Sequence, residues 1–491
     1  MPQEDRLATG IPGLDEILGG GLPANATYLV RGAPGAGKTT LALQFLLEGA
    51  RRGETGLYIT LSETWEEVDR TVRSYGWDPS TIGFLELAID VLARTEAQQT
   101  VFKPAEIELE EVTRPIRDEV DRLRPRRVVI DSVSEIRVVS GDARRLRREV
   151  LALKRFFAER DCTALLLDPI DLPGSAPLIE TLVHGVIGLE KESPSYGRTR
   201  RRLLVDKLRG VSYSEGYHDL RIKHDGLVVF PRLVAAEAGH RVELELISSG
   251  LPALDALLGG GVHRGTSTLV TGPAGTGKST LSVQYAVAAA GRGEKAALFL
   301  FDETIETLLA RTDGMGIPLR EVLEEGLVQV RQVDPAELTP GEFSDAARAE
   351  VRAGARVVII DSLNGYMESA PGERYMSLHL RELLTHLNHE GVASFIVLAQ
   401  HGLFGSSLEI PLDISFLTDN VVVLRRFEAE GAVRQAISVF KKRSGPHERT
   451  IREFELTAHG IRIGEPLTEL QGVLTGVPSL YDEAATTPGE P

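Results

Sequence analysis

The sequence predicts an α/β fold used twice. Two tandem domains each carry a mostly parallel sheet flanked by helices, with antiparallel strands at the sheet edge. Three observations carry this. Short apolar runs alternate with stretches of helical period through both halves of the 491 residues. The second half repeats the first: "TGIPGLDEILGGGLPANATYLVRGAPGAGKTTLALQ" from Thr9 is matched by "SGLPALDALLGGGVHRGTSTLVTGPAGTGKSTLSVQ" from Ser249. Late in each half the alternation gives way to paired strand-like runs, such as "NVVVLRR" and "AVRQAISVFKKR".

In the first half "TYLVR" (27–31) reads as a buried strand and "TTLALQFLLEGARR" as the helix that follows. "GLYITL" (56–61), "RRVVID" (126–131) and "CTALLLD" (162–168) are further strands. "TSTLV", "AALFLF", "RVVIID" and "VASFIVLAQ" repeat that order in the second half. "MSLHLRELLTHLNHE" places Leu380, Leu383, Leu384 and Leu387 on one helical face, which predicts core. Lys38 and Lys278 stand 278 − 38 = 240 positions apart, the size of one ordinary domain. The reading divides the chain into lobes 1–235 and 246–465 and a C-terminal segment 466–491. The linker falls near "PRLVAAEAGHRVELEL" (231–246), and the closing "YDEAATTPGEP" is too poor in apolar residues to order itself.

At 42% apolar and 26% charged residues, a soluble globular protein is expected. No run of eighteen apolar residues predicts a membrane helix, and "MPQEDRLATG" has neither the basic start nor the apolar stretch of a secretory signal. Cys162 is the one cysteine, which excludes an internal disulfide and a cysteine zinc site and points to a reducing cytoplasm. No HExxH pattern occurs, so no zinc is assigned. A net charge of −16 argues against nucleic acid as a general partner. "ARRLRRE" (143–149) and "RTRRR" (198–202) are local basic runs, more simply read as solvated faces or subunit contacts.

Chemistry is concentrated in "GAPGAGKT" (32–39) and "GPAGTGKS" (272–279), which both fit G-x-x-x-x-G-K-[ST]. Gly32, Gly35, Ala36 and Gly37, and in the second copy Gly272, Gly275, Thr276 and Gly277, let the backbone curl its N–H groups around phosphate oxygens. Lys38 and Lys278 then reach the β- and γ-phosphates of ATP, while Thr39 and Ser279 offer a hydroxyl to Mg2+. Asp131 and Asp361 end apolar strands and are placed to hold the magnesium shell, although a strand-ending aspartate can also cap the next element. "YITLSE" and "LFLFDE" end in Glu63 and Glu303, acids that could orient a water or hydroxyl on the γ-phosphate; a helix N-terminus also favours an acid there.

With these motifs the chain resembles the RecA/DnaB-like P-loop NTPases, and in particular the KaiC family of two-lobed ATPases. "GLDEILGGG" and "ALDALLGGG" before the loops, and "IDSV" and "IDSL" at the acidic strands, carry the likeness over nearly the whole chain. The resemblance implies homohexameric double rings with ATP between neighbouring subunits. It implies an ATPase in the first lobe, and in the second an ATPase that can also be a serine/threonine autokinase and autophosphatase. The family's two adjacent glutamates fall on Ser62–Glu63 and Asp302–Glu303, so the second lobe keeps two acids and the first keeps one. Its trans-acting basic pair falls on Lys207 and Arg209 in "KLRG" and on Lys441 and Arg443 in "KKRS". Its phosphorylated Ser–Thr pair falls on Ser415 and Phe416 in "DISFLTD", which leaves Ser415 as the one phosphoacceptor candidate. "LTELQGVLTGVPSLY" (467–481) resembles the family's C-terminal regulatory loop and tail, where a regulatory protein would bind. Three readings stay open: an autophosphorylating ring ATPase, a regulatory or scaffolding ATPase without a kinase step, and a DNA recombinase- or helicase-like motor, against which the acidic balance speaks.

Overall fold

The structure is a computed structural model that describes residues 5–87, 105–169, 178–234, 245–369, 375–400, 415–475 and 479–480. It divides into two compact units, Met1–Arg232 and Leu233–Pro491. The linker residues 235–244 and the closing 481–491 lie outside the described residues.

The first unit is built on a nine-stranded sheet. Its strands in chain order are β1 (Thr27–Gly32), β2 (Gly56–Thr60), β3 (Gly83–Glu86), β4 (Arg127–Asp131), β5 (Thr163–Pro169), β6 (Gly185–Glu192), β7 (Arg200–Leu208), β8 (Tyr217–Lys223) and β9 (Gly226–Phe230). They lie in the order β9-β8-β7-β6-β1-β5-β4-β2-β3. From β6 to β3 every pairing is parallel, and from β6 to β9 every pairing is antiparallel.

The second unit repeats this plan in β10 (Ser267–Pro273), β11 (Lys295–Leu300), β12 (Val328–Gln332), β13 (Ala355–Asp361), β14 (Ala393–Gln400), β15 (Asn420–Ala429), β16 (Ala432–Lys442), β17 (Arg452–Thr457) and β18 (Gly460–Pro466). The order β18-β17-β16-β15-β10-β14-β13-β11-β12 is the first sheet's, strand for strand. The mostly parallel sheet with an antiparallel edge is therefore present in both units. The edge strands β3 and β12 were not among the strands read from sequence. They are short and only partly buried, which leaves them a weak apolar signal.

Helices cover both faces, which explains why the central strands carry apolar residues on both sides rather than alternating. Along β1 and β4, Tyr28, Val30 and Val129 enter one core while Leu29, Val128 and Ile130 enter the other. In the second unit Val270, Val357 and Ile359 face one core, and Leu269, Val358 and Ile360 the other. Leu380, Leu383, Leu384 and Leu387 are buried on the helix Met376–His389, as the periodicity predicts. The basic run at 143–149 opens the helix Ala143–Ala158, whose Leu146, Val150, Leu153 and Phe157 are buried. Of the other run, Arg200, Arg201 and Arg202 lie on β7.

Each antiparallel edge contains the same irregularity. The register of β6 with β7 runs Val186↔Lys207 then Ile187↔Val205, so Asp206 bulges out. That of β15 with β16 runs Val421↔Lys441 then Val422↔Val439, which bulges Phe440. Bulges re-aim side chains, and Lys207 and Lys441 stand directly beside these two.

Candidate phosphate-binding sites

Each loop leaves the C-terminal end of the central strand, β1 or β10, and enters a helix, α1 (Lys38–Arg51) or α2 (Lys278–Gly291). The residue before each helix is a glycine in the left-handed region, Gly37 at φ 113° and Gly277 at φ 90°. A Cβ on Gly277 would stand 2.9 Å from Phe454 Cε1 of β17, so the far hairpin also demands glycine there. Lys38 Nζ donates to the Gly32 carbonyl at 2.7 Å and the Ala33 carbonyl at 3.2 Å. Lys278 Nζ donates to the Pro273 carbonyl at 2.7 Å, an oxygen that also accepts from Thr276 Oγ1 at 2.9 Å. Burial pushes the Lys278 ammonium down to about 8, against the opposing charge of Asp361. Ala36 is fully buried beneath its loop.

The acid-ended strands bring their carboxylates to the loops. Thr39 Oγ1 donates to Asp131 Oδ2 at 3.2 Å. In the second lobe a hydrogen bond from Ser279 opposes the burial that raises the Asp361 carboxyl. The peptide bonds Asp131–Ser132 and Asp361–Ser362 are both cis. A hydroxyl beside a buried carboxylate at the mouth of a glycine cradle suits Mg2+, which takes few protein ligands when phosphate oxygens complete its shell.

The acids in the loop just beyond the neighbouring strand differ between lobes. Burial, then the charges of Asp131 and Glu67, raise the Glu63 carboxyl. Burial raises Glu303 too, but Arg311 opposes it across an ion pair of 2.6 Å. Asp302 accepts a short hydrogen bond from Ser362 Oγ. Asp302 and Ser62, its equivalent in the first lobe, are both exposed.

The two basic pairs hydrogen-bond to the segment just before β6 or β15, the strand where the parallel part of each sheet meets the antiparallel part. Lys207 Nζ donates to the Glu180 and Val183 carbonyls at 2.6 and 2.8 Å, and Arg209 Nη2 to the Thr181 carbonyl at 3.0 Å. Lys441 Nζ donates to the Ser415 and Thr418 carbonyls at 2.7 and 2.6 Å, and Arg443 Nη2 to the Phe416 carbonyl at 3.1 Å. Among the described residues neither pair hydrogen-bonds to its own lobe's loop. Ser415 is half-buried, whereas Phe416 is 64% exposed. Asp413 and Ile414, the start of that motif, lie outside the described residues.

Four contributors escaped the sequence reading. Tyr58 donates its hydroxyl to Asp131 Oδ2 at 2.6 Å. Arg311 pairs with Glu303. A cation also rides over each loop: Arg426 Nη2 donates to the Gly275 carbonyl at 2.9 Å, and Lys191 Nζ stands 3.1 Å from where a Gly35 Cβ would be. Lys191 and Arg426 occupy matching places on β6 and β15. That match is visible in sequence only once the strand offset of the repeat is known.

Two nine-stranded sheets of one topology, each with a glycine loop between its central strand and a long helix, define a tandem RecA-like P-loop protein. A family model for the KaiC ATPase matches residues 7–234 and again 247–468. The chain belongs to the KaiC ATPase family. It is 27% identical over 480 residues to the circadian clock protein KaiC3 of Synechocystis sp., covering 96% of this chain and 94% of that protein. It is also 27% identical over 482 residues to the circadian clock oscillator protein KaiC of Acaryochloris marina, covering 96% and 91%. Among the described residues no helix is long and apolar enough to cross a membrane.

Proposed function

We propose that both lobes bind ATP with Mg2+ and hydrolyse it, in a homohexamer whose nucleotides sit between neighbouring subunits. The observation that carries this is the repeated convergence of loop lysine, loop hydroxyl, strand-end aspartate and neighbouring glutamate in each lobe. Loop amides with Lys38 or Lys278 hold the phosphates, and Thr39 with Asp131, or Ser279 with Asp361, hold the metal. Mg2+, when bound, neutralises charge on the β- and γ-phosphate oxygens. Glu63 and Glu303 accept a hydrogen bond from the attacking water and orient it, with Asp302 beside Glu303 as the second acid. Lys207 and Arg209, and Lys441 and Arg443, act on the γ-phosphate of the adjacent subunit.

Ser415 is the proposed phosphoacceptor of a one-site serine autokinase in the second lobe. A second reading is a regulatory ATPase with no kinase step, switching partner binding, with the C-terminal segment as the docking element. Phe416 favours it, because the phenyl side chain beside Ser415 has no hydroxyl to phosphorylate.

One experiment tests both. Purified protein is incubated with ATP and Mg2+ beside Lys38→Ala, Lys278→Ala and the double variant. ADP release that falls in each single variant and vanishes in the double supports two ATPase lobes; release unchanged in the double removes the proposal. Mass spectrometry of the same samples decides the kinase step. Phosphate on Ser415 that is lost in Lys278→Ala establishes it, and an unmodified chain that still releases ADP leaves the regulatory reading.

A further inference from the structure

The two lobes act as controls for one another, because the segments that build the site in one have counterparts in the other. The helix after the acid-bearing loop is Trp65–Ser74 in the first lobe and Ile305–Gly314 in the second, 240 positions on. Eight residues after Glu303 comes Arg311; eight after Glu63 comes Thr71. Arg311 Nη2 meets Glu303 Oε1 at 2.6 Å, and its Nη1 reaches Thr280 Oγ1 at 3.3 Å on the first turn of α2, one residue past Ser279. A single planar guanidinium thus ties the acid to the helix that carries the phosphate loop.

The first lobe has no such tie. Thr71 turns its hydroxyl back to the Glu67 carbonyl at 3.0 Å. Thr40, the counterpart of Thr280, meets the Tyr75 hydroxyl at 3.2 Å. Among the described residues the Glu63 carboxylate has no ion pair. The Arg311 side chain is only 26% exposed and that of Glu303 22%, so the pair is shielded more than an ordinary surface bridge.

We infer that Arg311 is a positioning residue of the second lobe. It fixes the Glu303 carboxylate relative to the phosphate loop, so that the acid meets the attacking water in one orientation. The fork of arginine suits this, since its nitrogens can engage two partners in fixed geometry where a lysine ammonium is a single point. The inference rests on the proposed ATPase reading of the second lobe. Phosphoryl transfer depends on placement, and small misplacements of an orienting group slow it greatly.

The test uses full-length protein in a Lys38→Ala background, so that turnover reports the second lobe. Arg311→Thr installs the first lobe's residue, and Arg311→Lys keeps the charge without the fork. The expected result is a kcat lowered about tenfold by Arg311→Thr with KM within about twofold, and partial recovery by Arg311→Lys. Unchanged kcat overturns the inference. So does a joint change of kcat, KM and thermal midpoint that lysine does not rescue, since that is a packing defect. If the background protein with Arg311 intact releases no ADP, the ATPase reading of this lobe falls, and the inference with it.

Discussion

Tyr58 gives its hydroxyl to Asp131 at 2.6 Å inside the first lobe, and the second lobe has Leu298 in its place. Burial, then the Asp131 charge, holds the phenol well above its ordinary range, so it remains a donor. Asp131 accepts from Thr39 as well, and both bonds oppose the burial that raises its carboxyl. The tyrosine thus stabilises a buried carboxylate that in the second lobe depends on other groups. Tyr58→Phe removes one hydrogen bond to a charged acceptor, a loss of about 1.5–3 kcal/mol. Hydrogen exchange read peptide by peptide should show faster opening around Arg127–Asp131 and none around Ala355–Asp361. Equal protection in wild type and variant would show that the bond contributes nothing to the fold.

Lys278 makes ATP affinity in the second lobe depend on pH. Its ammonium is buried against the Pro273 carbonyl, and burial holds it down at about 8. Phosphate oxygens favour the charged form, so its pKa rises when nucleotide binds. Below about 8 the lysine is already protonated and binding takes up no proton. Above that value the lysine gives up its proton, and binding must restore it. Affinity should therefore be flat below pH 8 and weaken by up to about tenfold per pH unit above it. Titration of a fluorescent ATP analogue into the Lys38→Ala protein between pH 7 and 9.5 checks this. A flat profile to pH 9.5 would mean that the ammonium is as well solvated as a surface lysine.

How far the sequence reached depends on the range of the interaction. The loops were legible because their glycines, lysine and hydroxyl are consecutive, and the backbone geometry they need is local. Asp131 and Asp361 were legible because an apolar strand ending in an acid is itself a local pattern. The central strands could be read because burial on both faces gives them unbroken apolar runs, such as Val128–Ile130 and Val357–Ile360. Arg311, Tyr58 and Arg426 were not legible. Each acts on a partner brought near by strand order or helix packing, and in sequence each is an ordinary residue on an ordinary element. The edge strands Gly83–Glu86 and Val328–Gln332 failed for a different reason, since each carries only two apolar residues, too few to set a period. Lys207 and Lys441 were found by likeness alone, and the bulges at Asp206 and Phe440 that aim them appear only in the register.

Subunit mixing can separate two roles for Lys207 and Lys441. Each holds two carbonyls of the segment before β6 or β15: Glu180 and Val183 for Lys207, Ser415 and Thr418 for Lys441. A lysine that only braced its own turn would matter equally in every subunit, whatever its neighbour carried. A lysine that also reached the adjacent subunit's γ-phosphate would obey a different rule. Lys441→Ala and Lys278→Ala, each in a Lys38→Ala background, should both be nearly inactive alone. Mixed and reassembled, they should regain turnover, because a Lys278→Ala subunit still carries the Lys441 that its neighbour lacks, and that neighbour still has an intact loop. A trans-acting cation contributes about 10³–10⁵ in rate, so even a minority of correctly paired interfaces would stand far above either parent. Mixtures that do no better than the average of the two would place the action of Lys441 within its own chain, as a brace for the Ser415 turn.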